Sequence, residues 1–84
     1  MYDLDYNPVE EFPYALVDEN GLVVGRLRVE QDALEAMAAL NLLERALERF
    51  PGLADGETPI SAADLVDLFS ETLEFRDGRY REKP

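Results

Sequence analysis

The chain has 84 residues, 46% of them apolar, and its 19 acidic and 8 basic residues give a net charge of −11. This length corresponds to one domain, and the apolar content is too high for a disordered segment. The absence of cysteine excludes disulfides and thiolate zinc sites. The acidic field opposes direct binding to nucleic acid or to anionic membranes, and it favours a protein partner with a basic surface.

No stretch of the sequence has the composition of a membrane span or of a secretory signal. The apolar runs are much shorter than the roughly 18 residues that a span needs. The amino terminus also lacks a basic segment followed by an apolar one. We therefore expect a cytoplasmic protein that does not associate with membranes.

Residues 1–12 form an amino-terminal arm that begins with a strict alternation of apolar and acidic residues. The alternating residues are Tyr2, Asp3, Leu4, Asp5 and Tyr6. A period of two predicts a short strand with one buried face, located at the edge of a sheet. An Asn-Pro pair at positions 7 and 8 ends this strand.

Residues 13–29 carry the clearest β-hairpin signal. Asn20-Gly21 separates two strand-like runs, and both residues tolerate the positive φ that a two-residue type I′ turn requires. Such a turn predicts that Val17 lies opposite Val24. The predicted core face of the hairpin contains Tyr14, Leu16, Val23, Leu27 and Val29.

The other face of this hairpin is half apolar and ends in two arginines, Arg26 and Arg28. If this face is exposed, it is a candidate contact surface. If a third strand or the amino-terminal arm covers it, the same residues have a structural role. Both interpretations stay open at the level of the sequence.

Residues 32–50 have the longest helical period and form the predicted central helix. Apolar residues occupy more than half of its circumference, which is wider than a surface helix needs. Asp32 is the predicted N-cap, with Glu35 three residues later completing a capping box. Pro51-Gly52 is expected to end the helix.

The wide apolar face of this helix has two interpretations. It packs against the sheet and the second helix of its own domain, which we favour because a short chain needs most of its apolar residues for one core. Alternatively, part of it forms an interface with a partner or a second copy. On the helical wheel, Asn41 falls on the polar side and Ala38 falls outside the main apolar face.

Residues 61–73 form the second predicted helix. Ser61 is the expected N-cap, and Ile60 is expected to pack onto Leu65 as a hydrophobic staple. An all-acidic face is mildly unfavourable within a helix, so such a face indicates a basic partner, although it is also typical of a solvated surface. The face opposite the apolar stripe carries three acids and no basic residue: Asp64, Asp67 and Glu71.

The segment 53–64 resembles the second half of an EF-hand calcium loop, in which an isoleucine precedes an acid on a helix. The alignment places Leu53 where the first acidic ligand is required. It also places Thr58 where the sharp turn of the loop requires glycine. We therefore interpret this segment as a loop followed by a capped helix, and we predict no metal and no cofactor.

Residues 74–84 contain Asp77-Gly78, another residue pair typical of a type I′ turn. Such a turn places Phe75 opposite Tyr80. It also places an ion pair beside them, Glu74 opposite Arg81. The segment is either a short hairpin or one strand that joins the sheet and is followed by a frayed basic tail.

The sequence contains no recognisable catalytic machinery. It has no histidine and no cysteine, Ser70 has no base partner in the sequence, and the single lysine, Lys83, lies in the tail. No phosphate-binding glycine loop is present. We therefore predict no catalytic residues and a protein that is not an enzyme.

These patterns predict an α+β domain in which an antiparallel sheet of three or four strands packs against two α-helices, in the order β-β-β-α-α-β. The predicted function is an acidic protein-binding module or inhibitor, analogous in size and charge to phage and mobile-element inhibitors that mimic nucleic acid. The alternative is a homodimeric structural or assembly subunit. The predicted partner-binding residues are Asp64, Asp67, Glu71, Arg26 and Arg28.

Overall fold

The computed structural model of the chain, which describes residues 1–56 and 61–84, confirms the α+β prediction. The final segment forms a hairpin of its own instead of one strand of the main sheet, so the described elements comprise a three-stranded and a two-stranded antiparallel sheet. The elements are β1 (Asp3–Tyr6), β2 (Tyr14–Val17), β3 (Val23–Leu27), α1 (Glu30–Arg49), the single turn α2 (Gly52–Asp55), α3 (Ala62–Thr72), β4 (Leu73–Arg76) and β5 (Arg79–Glu82).

The three-stranded sheet has the order β1-β2-β3, with β2 in the centre. The predicted edge strand at the amino terminus is confirmed as β1, which pairs Leu4 with Leu16 of β2. Ala15, Leu16 and Val17 of the central strand are all buried. One face of this sheet meets α1, since Tyr14 donates a hydrogen bond to Glu30 at 3.4 Å.

The predicted type I′ turn between β2 and β3 is wrong, because the connection is longer than two residues. Only Gly21 has a positive φ, 82°. The Gly21 N–H donates to the Asp18 carbonyl, and the Asp18 N–H donates to the Leu22 carbonyl, both at 3.0 Å. This pattern is a three-residue loop closed by a glycine bulge. The Asp18 carboxylate favours it by accepting from the backbone N–H groups of Asn20 and Leu22, each at 2.9 Å.

The register of the hairpin changes accordingly. Leu16 lies opposite Gly25 as predicted, but Val17 lies opposite Val23 instead of Val24 because the ladder is irregular between Leu16 and Val17. A slip of one residue moves a side chain to the other face of a sheet. Two of the predicted core residues are not buried: Val23 is 49% exposed, and Val29, which lies beyond β3 as the N-cap of α1, is 50% exposed.

The central helix α1 begins two residues earlier than predicted. Its N-cap is Val29, and no side chain in the described part of the chain caps it. The predicted capping box at Asp32 and Glu35 is thus wrong. Asp32 lies inside the first turn and accepts a hydrogen bond from Arg79 of β5. Because α1 begins at Glu30, Asp32 is already inside the helix, and its carboxylate pairs with a cation 47 positions away in the sequence instead of capping a backbone N–H.

Asn41 lies on the buried side of α1, contrary to the wheel, and connects three elements. Its side-chain oxygen accepts from the Tyr2 N–H at 2.7 Å, next to β1. Its amide nitrogen donates to the Glu82 carboxylate of β5 at 3.1 Å and to the Tyr2 carbonyl at 3.3 Å. Ala38, one turn earlier, is also fully enclosed at 1% exposure. The helix therefore buries a second arc besides the main apolar one.

The carboxyl-terminal half follows its local sequence signals closely. Ser61 caps α3 as predicted, since its hydroxyl oxygen accepts from the Asp64 N–H at 3.1 Å. The type I′ turn is confirmed by positive φ at Asp77 and Gly78. The predicted pairings in this hairpin are confirmed too, although Glu74 forms its ion pair with Arg76, at 3.4 Å. The predicted staple of Ile60 lies outside the described residues.

Candidate functional site

An open apolar groove runs between α1 and α3. The groove encloses about 380 Å³, and none of the described residues that line it is charged or polar. Its shape arises because α1 is apolar around most of its circumference, and α3 covers only part of that surface. The α1–α3 groove is lined by Ala39, Leu42, Leu43, Ala46, Leu53, Leu65, Leu68 and Phe69.

Three of the large side chains around this groove are only partly covered. Leu43 is 52% exposed, although it lies in the middle of the longest helix. Leu65 and Phe69 on α3 are 41% and 37% exposed. Full burial of one such side chain stabilises a structure by roughly 1.5–3 kcal/mol, so the monomer leaves much of this free energy unused. A contiguous exposed apolar patch marks an interaction site.

The whole molecule is flatter and more exposed than a globule of its mass. Its extents are 46 × 30 × 18 Å, and its Cα radius of gyration is 14.5 Å. A compact chain of this length has a radius of about 12 Å. The accessible surface is 5842 Å², against roughly 5,000 Å² for a typical monomer of this mass. Within the described residues, no large side chain is more than 98% buried.

The three predicted acidic residues of α3 are exposed, and one of them has a cation from another helix. Arg49 of α1 donates a hydrogen bond to Glu71 at 2.6 Å. This bond and the charge of Glu71 raise the pKa of the Arg49 guanidinium above its ordinary value, and the charges of Asp67 and Asp64 add to the effect. The sequence of α3 alone therefore overstates the excess negative charge on this face of the helix, because a basic residue of α1 compensates part of it.

The two predicted arginines make different contacts and do not form one site. Arg28 donates to Glu11 at 2.8 Å and lies over the ring of Phe12, 4.6 Å from its centroid. Arg28 thus contacts the amino-terminal arm. Arg26 is exposed beside Asp5 in a shallow polar depression on the three-stranded sheet. Neither arginine lines the α1–α3 groove.

The described lining of the groove offers apolar contact. None of the described residues that line it carries a titratable group. In the described part of the chain, no group of three or more acidic side chains could hold a metal ion. The described residues include no helix with the length and hydropathy to cross a membrane.

Sequence reasoning identified the central element of this site but not its residues. The breadth of the apolar face on α1 was the available signal, and it left open whether the whole face is used within the domain. The position of α3 decides that question, and α3 leaves Leu43 partly exposed. Comparison of the chain with protein-family models, with curated proteins and with solved structures finds no match.

Proposed function

We propose that this protein is a non-enzymatic interaction module that receives a helix of a protein chain in the α1–α3 groove. The observation that carries the proposal is the exposed, uncharged lining of the groove, in which Leu43, Leu65 and Phe69 are each more than one third exposed. A groove between two helices accommodates the apolar residues that recur every three to four positions on an amphipathic helix.

Burial supports this proposal more strongly than charge does. A bound helix would cover Leu43, Leu65 and Phe69, and it would remove no charged group of the described lining from water. Affinity in such an interface comes mainly from a few well-packed central side chains. Leu43 is the best candidate for that role, because it is the most exposed of the large side chains that line the groove.

The test uses photo-crosslinking at two positions of equal exposure. Leu43 and Val24 are both 52% exposed, but Val24 lies on β3, away from the groove. Each is replaced by p-benzoylphenylalanine in separate variants, which are irradiated in cells that express them. Adducts are identified by mass spectrometry. We expect protein adducts from position 43 and few from position 24.

Two results would count against the groove. Equal adduct yields from both positions would mean that contacts at Leu43 reflect exposure alone. The photoreactivity of the variant is first verified by its reaction with an added free peptide. A complete lack of adducts at position 43 in cells would then mean that no chain occupies the groove. Either result would remove the basis of the proposed function.

A second candidate function is the charge-led one, in which an acidic surface binds a basic partner in the manner of a nucleic-acid mimic. It is favoured by Asp64 and Asp67, which are exposed on α3 and have no ion-pair partner within the described residues. This version predicts an affinity that falls steeply as salt is added. A partner affinity that does not change with salt would eliminate it. A cytoplasmic location is part of both proposals.

A further inference from the structure

We infer that the chain occupying the α1–α3 groove is a second copy of this protein, so that α1 of one protomer packs against α1 of the other. This inference rests on the proposed function, because it names the occupant of the same groove. Three observations support it: the size of the excess surface, the spacing of the apolar residues on α1, and the absence of charge in the centre of the contact.

The excess surface has the size of one side of a protein interface. The chain exposes 5842 Å², which is roughly 800 Å² more than a typical monomer of 9.5 kDa. A stable interface of standard size buries about 800 Å² on each partner. If two copies pair through one such face, the surface area that each protomer leaves exposed falls to the value typical of a monomer of this mass. A short peptide in the groove would cover a smaller area.

The apolar residues along the exposed side of α1 have the spacing of a helix–helix contact. They recur at alternating intervals of three and four residues, which is the a/d pattern of a coiled-coil seam. Two of these residues are exposed in the monomer, Leu43 at 52% and Leu47, one turn later, at 40%. The residues of this seam are Ala36, Leu40, Leu43, Leu47 and Phe50. The seam runs along α1 beside the α1–α3 groove and shares Leu43 with it.

The seam is complementary to itself when two helices run antiparallel. Its amino-terminal end carries the small Ala36, and its carboxyl-terminal half carries the bulky Leu43 and Leu47. A two-fold axis midway between Leu40 and Leu43 pairs these two leucines across the contact. The same axis places Leu47 of one helix against Ala36 of the other. Contacts that repeat in this way, residue i with j and j with i, define a two-fold symmetric interface.

Charge determines how this dimer responds to salt. Each copy carries a net charge of −11, so two copies repel each other at a distance. Neither the seam nor the described lining of the groove contains a charged residue. No salt bridge between such residues is therefore lost when salt is added. Added salt screens the repulsion and should tighten the dimer. A basic partner in the same groove would respond in the opposite direction.

Sedimentation equilibrium of the full chain tests the inference over a wide micromolar range, at low and at high salt. We expect a mass of roughly 19 kDa, twice the 9.5 kDa of one chain, and tighter association at high salt. Leu43→Glu places a charge in the apolar centre and should weaken dimerisation about 100-fold or more. Val24→Glu adds the same charge at an equally exposed position and should change it by less than about threefold.

Folding of each variant is checked by circular dichroism, and Leu43→Ala, which adds no charge, provides a second variant with an expected loss of about tenfold. A single-chain mass at every concentration would overturn the inference, as would a dimer that survives both substitutions at position 43. Association that weakens with salt would also overturn it. A photo-adduct between position 43 and a different protein would overturn the second copy but keep the proposed function. Lack of any adduct would overturn both.

Discussion

Replacement of Asn41 by leucine tests the connection between α1, the amino-terminal strand and the carboxyl-terminal hairpin. Asn41 is only 3% exposed and is one of two buried polar residues within the described part of the chain. Its amide makes three hydrogen bonds, to the backbone N–H and carbonyl of Tyr2 and to the carboxylate of Glu82. Leucine has the same number of side-chain heavy atoms and the same branching at Cγ, and it removes all three hydrogen bonds without creating a large cavity.

The expected loss follows from the groups left behind. The Tyr2 N–H and the Glu82 carboxylate lose their partner while they stay part-buried. A neutral hydrogen bond contributes about 1 kcal/mol, and one to a charged group contributes about 1.5–3 kcal/mol. The added apolar burial offsets roughly 1 kcal/mol. We therefore expect the free energy of unfolding to fall by about 2–4 kcal/mol, a large share of the roughly 4–12 kcal/mol typical of a domain of this size.

Urea unfolding followed by circular dichroism measures this change. With a slope of about 1 kcal/mol per molar urea, the midpoint of Asn41→Leu should fall by roughly 2–4 M. Asn20→Leu is the matched control, because Asn20 is exposed, and it should change stability by less than about 0.5 kcal/mol. A neutral or stabilising effect of Asn41→Leu would refute the reasoning, since it would show that these hydrogen bonds contribute no more than apolar packing in the same place.

Four further substitutions, one of them a control, test other parts of the fold. Gly21→Ala should destabilise by about 1–2 kcal/mol in urea unfolding, since φ is +82° there; an unchanged midpoint would contradict the assigned loop. Ser61→Ala removes the cap of α3 and should cost about 1 kcal/mol, whereas Ser70→Ala inside the helix should be nearly neutral. Burial, and then the charge of Glu30, raise the pKa of Tyr14 above its ordinary value. Because the pKa of Tyr14 is higher in the folded than in the unfolded chain, the protonated phenol contributes to stability below about pH 10, and this contribution is lost as pH rises through the folded pKa. Glu30→Gln should lower that pKa in a phenolate absorbance titration, and no change would contradict the assignment.

Local signals in the sequence predicted those elements whose partners are also local. The Asp77-Gly78 turn and the Ser61 cap depend on residues within four positions, and both are confirmed. The Asn20-Gly21 turn failed because the carboxylate of Asp18 competes for the backbone N–H groups of the loop. A turn pair alone does not include that competition.

Features that depend on distant residues could not be predicted. Asp32 is of a residue type that favours the N-cap position, but its carboxylate binds Arg79, 47 positions later in the sequence. Asn41 falls on the polar side of the wheel, yet Tyr2 and Glu82 give it buried partners. The groove follows the same rule, because the apolar width of α1 was visible in the sequence and the arc left open by α3 was not.

The most direct test of the central claim compares the solvent exposure of Leu43 and Val24 in solution. Both side chains are 52% exposed in the isolated chain. Their methyl groups are observed by NMR at high protein concentration while a soluble paramagnetic agent is added, which relaxes each methyl according to its contact with solvent. We predict that Leu43 is shielded by a second chain and relaxes much more slowly than Val24. Equal relaxation of the two methyl groups would contradict the claim that the α1–α3 groove is an occupied interface.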